Sequence, residues 1–295
     1  MKIGGLLLCF AGMALLCAMD AVAKGLGGHG LNTFQIGFVR YGGAALWLML
    51  YIALARQSWP RLSNWRRHLL RGVLMVVTAC LFFYGVTHLP LAICTALAMS
   101  APIYVSLFGI VFFKERPSAL LGLAILLGIA GSAVMVIGGQ VGGVDADISG
   151  WIAGILAPIT YAGAIVTLKH HSDDDSAAAL TLSTAVVAAV ILMPLALPGF
   201  PAPVGQAWWQ LPLIGFLGAC GFVLLTTGLR TTPASSFAIV DYASLLWAAF
   251  FGFVFFSEVP ALRFWIGGAL IVAGCAIGMI ASNRQAKASE TPAAA

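Results

Sequence analysis

Asp20, Arg40 and Asp241 each sit inside stretches of sequence that are otherwise almost wholly apolar. Charge inside such a stretch is costly, so each of these residues needs a partner or a task. Asp20 and Arg40 lie near the same end of two consecutive apolar runs and can form an ion pair that fixes two helices. Each can instead face a bound molecule. Arg40 lies about 12 Å into its run at 1.5 Å per helical residue. Asp241 has no basic residue at matching depth and is followed by Tyr242 and Ser244. A carboxylate facing a wet cavity can hold an ammonium group or take a proton. Two Lys–Glu sets stand at the ends of runs: Lys24 and Glu258 on one side, Lys169 and Glu115 on the other. Either set can close its side when the other opens. Around mid-depth lie groups that suit a polar-aromatic cavity: Thr78, Phe82, Tyr84, Met99, Ser100, Tyr104, Pro158, Tyr161, Tyr242 and Trp247. Flat rings with an OH or NH handle suit small molecules that combine apolar bodies with polar ends. Pro102 and Pro158 each remove an intrahelical hydrogen bond at the middle of a run.

Other chemistry is missing. There is no Gly-x-x-x-x-Gly-Lys-Ser/Thr phosphate loop and no nucleophile–base or His–carboxylate cluster. No cofactor is called for, and the chain does not read as an enzyme. The six cysteines all lie in apolar runs without a C-x-x-C pair and read as small apolar fillers. No pair of Lys or Arg residues stands at mid-depth, which disfavours phosphate-bearing cargo.

The elements that must position these residues follow from composition. The chain has 295 residues, 61% hydrophobic and only 8% Asp, Glu, Lys or Arg. Soluble domains carry about 25% charge. An ordinary soluble enzyme, a nucleic-acid binder and a disordered chain are excluded, and an all-α polytopic membrane protein is implied. Ten helical spans are expected at 3–23, 32–55, 69–87, 90–113, 118–138, 149–169, 177–198, 208–229, 233–256 and 260–282, with a disordered tail over 283–295. Met1-Lys2, an apolar run and Ala21-Val22-Ala23 imitate a cleavable signal, but the run is longer than a signal core and is read as the first span. Twelve basic residues, among them Lys2, Arg56, Arg66, Lys114, Arg116, Lys169, Arg230 and Arg284, fall on one side of this arrangement. That bias predicts a multi-pass protein of the bacterial inner membrane with both termini cytoplasmic. It also accounts for the net charge of +5 without invoking nucleic acid. Trp59, Trp65, Trp151, Trp208, Trp209 and Trp265 fall at expected membrane–water interfaces.

The two halves repeat. A shift of 143 lays Gly85 on Gly228, Pro90 on Pro233, Val111-Phe112-Phe113 on Val254-Phe255-Phe256, Glu115 on Glu258 and Gly131 on Gly274. A shift of 145 lays Gly5 on Gly150 and Lys24 on Lys169. The expected units are 1–143 and 144–282. Five spans per half is an odd number, so the copies are inverted, an arrangement that marks secondary transporters with a site between the repeats. Gly267, Gly268, Gly274 and Gly278 give the last span a small-residue face, either internal or the contact of a homodimer.

The pattern Pro, about 20 apolar residues, then Phe-Phe-x-Glu-x-Pro and a Gly-rich span occurs from Pro90 to Gly131 and again from Pro233 to Gly274. In this it resembles the drug/metabolite transporter superfamily of EamA type. Within that superfamily the aromatic-rich spans look most like the bacterial YddG-type amino-acid exporters. The resemblance implies export of amino acids, aromatic ones among them, or similar small metabolites across the inner membrane by alternating access. A drug or nucleoside-like metabolite exporter is the alternative within transport, and a non-transporting membrane scaffold the alternative outside it. The expected partners are a small-molecule substrate and the lipid bilayer.

Overall fold

The computed structural model describes residues 3–60, 65–101, 103–104, 107–108, 119–136, 140–141, 144–145, 147–168, 177–202, 205, 207–229 and 234–290. Among these are ten α-helices: α1 (Ile3–Gly28), α2 (Thr33–Leu54), α3 (Trp65–His88), α4 (Leu91–Ala98), α5 (Ala119–Val136), α6 (Ile148–Leu168), α7 (Ala177–Ala196), α8 (Ala207–Leu229), α9 (Ala234–Phe256) and α10 (Leu262–Glu290). A hairpin of two-residue strands, β1 (Gln140–Val141) and β2 (Val144–Asp145), joins the halves. The helices are apolar on nearly all sides, and large hydrophobics such as Leu46, Leu54, Leu126 and Phe255 are more than 60% exposed. Such a surface is stable against lipid and not against water. The chain is an all-helical polytopic membrane protein.

Local chemistry sets the helix ends. α2 starts with a capping box, in which Asn32 Oδ1 accepts from Gln35 N–H and Gln35 Oε1 accepts from Asn32 N–H, both at 2.9 Å. The Gln35 amide then donates to the carbonyls of Ala196 and Gly199, tying α2 to the end of α7. α9 ends at Ser257, whose φ of 55° turns the chain out of the helix.

Packing follows the repeat. α1 packs on α8 as α6 packs on α3, and α2 packs on α8 as α7 packs on α3. α5 meets α10, and α2 meets α7, across the pseudo-axis. Close approaches recur in register. A Cβ on Gly131 would lie 2.6 Å from the Gly267 carbonyl, and one on Gly274 would lie 2.8 Å from the Ala124 carbonyl. Similarly, Gly85 lies against Gly154, and Gly228 lies against Cys9. The small-residue face of α10 is therefore spent inside the molecule, against α5.

Two expectations are corrected. The fourth span is not one continuous helix, because α4 stops at Ala98 and the chain turns at Met99 and Ser100. Pro102 supplies no N–H for the Ala98 carbonyl, which breaks the ladder there. The stretch read as a disordered tail is helical as far as Glu290, an extension of α10. Trp151, near the start of α6, is buried, 6% exposed, in a cluster with Leu89 and Val86.

Candidate functional site

A cavity of about 470 Å³ lies between the two halves. Its walls come from α1, α2, α3 and α4 of the first half and from α6, α8 and α9 of the second. It is of a size that holds a small metabolite. The interrupted helix sits on it, for Met99 at the break lines the wall and Pro158 of α6 faces it from the other half. Irregular backbone at membrane depth is tolerated where it borders such a cavity.

Asp20 and Arg40 both line this cavity. Asp20 is eight residues from the end of α1 and Arg40 seven residues into α2. Those positions put both about 10–12 Å below the same helix ends. They do not form the expected ion pair, since no contact of 4.0 Å or less joins them. Arg40 instead donates from Nε to Met19 Sδ at 3.2 Å. Its guanidinium carbon lies 4.6 Å from the Tyr41 ring centre and 5.2 Å from that of Phe83. The two rings hold the guanidinium by cation–π attraction, and among the described residues no carboxylate lies within 4.0 Å of its nitrogens.

Of the remaining expected residues, Thr78, Phe82, Met99, Pro158 and Tyr161 line the cavity. Thr78 Oγ1 donates to the Leu74 carbonyl at 3.0 Å and lies 3.3 Å from Thr160 Oγ1. Four others do not line it. Tyr84 stacks on His88 at 4.0 Å and its hydroxyl lies 2.9 Å from Ser149 Oγ. Ser100 is buried and donates to the Leu97 carbonyl. Tyr104 is half-buried elsewhere. Trp247 packs against Phe10, Phe250 and Phe251. The side chains of Asp241 and Tyr242, on α9, lie outside the described residues, as do Glu115 and Lys169 altogether. Ser244, named beside Asp241, lines the cavity, and so do Tyr41, Phe83, Thr95 and a set of methionines and leucines on α1 and α3 that sequence reasoning missed. Tyr41 and Phe83 had a signal, as chain neighbours of Arg40 and Phe82. Met13, Leu16 and Met75 had none.

The cavity stops one helical turn short of Lys24. There Lys24 Nζ meets Glu258 Oε1 at 2.6 Å, with the two side chains only 14% and 13% exposed. The pair grips the corner at Pro90. Lys24 also donates to the Leu89 carbonyl, and Glu258 Oε2 accepts from the Leu91 N–H at 2.9 Å. Pro90 provides no side-chain cap for α4, so Glu258 serves as the anionic cap at that helix's N-terminus. Gly252 makes room, because a Cβ there would lie 2.8 Å from Glu258 Oε2. The pair thus joins a residue from each half beside one end of the cavity. Just outside the helical spans, Ser149 Oγ and N–H donate to Asp147 at the start of α6 and hold its carboxyl below the usual carboxylate range.

The model of the EamA-like transporter family matches residues 3–137 and again 148–280. The chain belongs to this family. The transporter is 28% identical to the pseudopaline exporter CntI of Pseudomonas aeruginosa, over 76% of each chain. It is 24% identical to an S-adenosylmethionine uptake transporter of Rickettsia felis, over 91% of this chain and 90% of that one. It is 27% identical to a riboflavin transporter of Brucella anthropi, over 72% and 75%. A crystal structure at 18% identity superposes with a TM-score of 0.61 over 96% of this chain and 99% of the other, which shows the same fold. The transporter therefore works on a small molecule in a lipid bilayer.

Proposed function

We propose that this transporter exports amino acids, aromatic and hydrophobic ones among them, or similar small metabolites across the bacterial inner membrane by alternating access. One observation carries the reading: a 470 Å³ cavity at the repeat interface combines one acidic and one basic side chain with methionine, phenylalanine and tyrosine walls. That lining suits a small molecule with a charged head and an apolar body. The surplus of basic residues around one set of helix ends supports cytoplasmic termini. On that orientation Lys24 and Glu258 close the outer end, and the cavity is poised toward the cytoplasm. Because Lys169 and Glu115 are their repeat counterparts, the same clamp re-forms at the corner of Pro233 when the outer end opens. Asp241 and Tyr242, entering α9 from that side, remain candidates for the path.

The test is reconstitution of the purified protein in liposomes. Labelled amino acids are screened for flux with and without a pH gradient, with pseudopaline, S-adenosylmethionine and riboflavin as comparators. Saturable flux of at least one amino acid is expected, and a pH-gradient effect would reveal proton coupling. No flux for any amino acid, or flux of a comparator alone, overturns the proposal.

A further inference from the structure

We propose that Asp20 and Arg40 together form a receptor for a zwitterionic head group, with Asp20 taking an ammonium and Arg40 a carboxylate. This deepens the amino-acid reading above and rests on it. Both side chains line the same cavity at the same depth, on adjacent helices. Opposite charges so placed in a poorly solvated site would be expected to close on each other, since an uncompensated ion there is expensive. They do not. Arg40 is held back by Met19 Sδ at Nε and by the rings of Tyr41 and Phe83 against its face. Three contacts thus aim its terminal nitrogens without consuming them. Asp20 has no hydrogen-bond donor among the described residues.

The gap between them is a pair of unmet demands of opposite sign. A guanidinium presents two parallel N–H groups to a carboxylate, and a carboxylate accepts from an ammonium. A molecule that carries both charges on neighbouring atoms answers both demands at once, and the site stays neutral overall. A cation alone leaves Arg40 uncompensated, and an anion alone leaves Asp20 so. The discrimination is therefore against net charge in either direction. The apolar remainder, including Met13, Leu16, Phe82 and Phe222, is left for the side chain and is tolerant of its shape.

The experiment uses full-length protein in liposomes and three probes: L-phenylalanine, L-phenylalaninamide and N-acetyl-L-phenylalanine. The amide lacks the carboxylate and the acetyl compound lacks the ammonium. Counterflow of labelled L-phenylalanine is competed by each. For the unchanged protein, L-phenylalanine itself should compete at least 30-fold better than either derivative. In Asp20→Asn the preference over the N-acetyl compound should collapse by tenfold or more while the preference over the amide persists. In Arg40→Gln the reverse is expected, and Arg40→Lys should retain part of the preference over the amide. This reciprocal pattern is one that a merely structural pair would not produce. If both variants lose affinity for all three probes in proportion, the receptor is overturned while amino-acid transport stands. If the unchanged protein carries L-phenylalanine but does not discriminate among the probes, it is likewise overturned. If the unchanged protein carries no amino acid, both readings fall together.

Discussion

If the Lys24–Glu258 pair closes its end of the cavity, removing the charge of Glu258 alone should open that end. At 2.6 Å and an effective dielectric of about 20, the raw attraction between Lys24 and Glu258 is about 6 kcal/mol. Most of that is cancelled by taking two ions out of water, which leaves a net coupling of about 2 kcal/mol for a pair this sheltered. If the contact exists only while this end is closed, losing it shifts the closed-to-open ratio about 30-fold. Glu258→Gln is the right change, because its amide oxygen can still accept from the Leu91 N–H and only the charge is lost. Cys94 provides the reporter. It lies in α4, 1% exposed, just below the clamp. With the other five cysteines replaced, its reaction with an impermeant thiol reagent added from the closed side should rise about 30-fold in Glu258→Gln. Lys24→Gln should do the same, and the double variant should match the singles instead of multiplying them. Unchanged labelling in the singles, or a double variant whose effect is the product of the two, refutes the clamp. Exchanging the charges would not rescue it. The corner has a fixed polarity, with the Leu89 carbonyl facing position 24 and the Leu91 N–H facing position 258. A carboxylate at 24 and an ammonium at 258 would each meet the wrong end of a peptide dipole.

Other outcomes follow from the same geometry. Gly252→Ala places a methyl 2.8 Å from Glu258 Oε2 and should reproduce the labelling of Glu258→Gln although no charge has changed. Gly131→Ala puts a methyl 2.6 Å from the Gly267 carbonyl, a backbone atom that cannot swing aside. It should destabilise the detergent-solubilised protein by about 1–3 kcal/mol, read as a lowered midpoint in thermal unfolding. Ser257→Gly relieves a φ of 55° and should raise that midpoint slightly, whereas Ser257→Val should lower it. Asp147 has a depressed folded-state pKa, so its contribution is present above the unfolded value of 3.8 and lost as pH falls through the folded value. Acid-induced fraying at the start of α6 should therefore begin at higher pH in Ser149→Ala, followed by hydrogen exchange at Gly150 and Trp151.

The helices were legible because lipid imposes a length and a continuous apolar surface, and Pro, Gly and Ser mark the corners. The same uniformity hides which way a residue faces. Leu7 and Leu16 share α1 and a residue type, yet Leu7 is 62% exposed on the outside and Leu16 lines the cavity. A helix that is apolar all round carries no stripe from which to tell the two apart. Trp247 and Tyr84 suit a cavity by type and depth, but stacking partners on the protein itself claim them. Asp20 and Arg40 could be placed at one depth from sequence. That Tyr41, Phe83 and Met19 hold them apart depends on helix rotation, which depth does not determine.

The repeat carries more than the fold, because the closed end is built from unlike parts of the two halves. Lys24 comes from the first helix of one and Glu258 from the loop after the fourth helix of the other. The contact is therefore made between the halves and not within one of them. Among the described residues, the lysine of the first copy meets the glutamate of the second. On the proposed function, the counterparts Lys169 and Glu115 supply a second clamp of the same motif at the opposite face, and the molecule gains nothing by keeping both shut. Near-equal energies for the two closed ends are what an alternating-access cycle needs to turn over on a modest gradient.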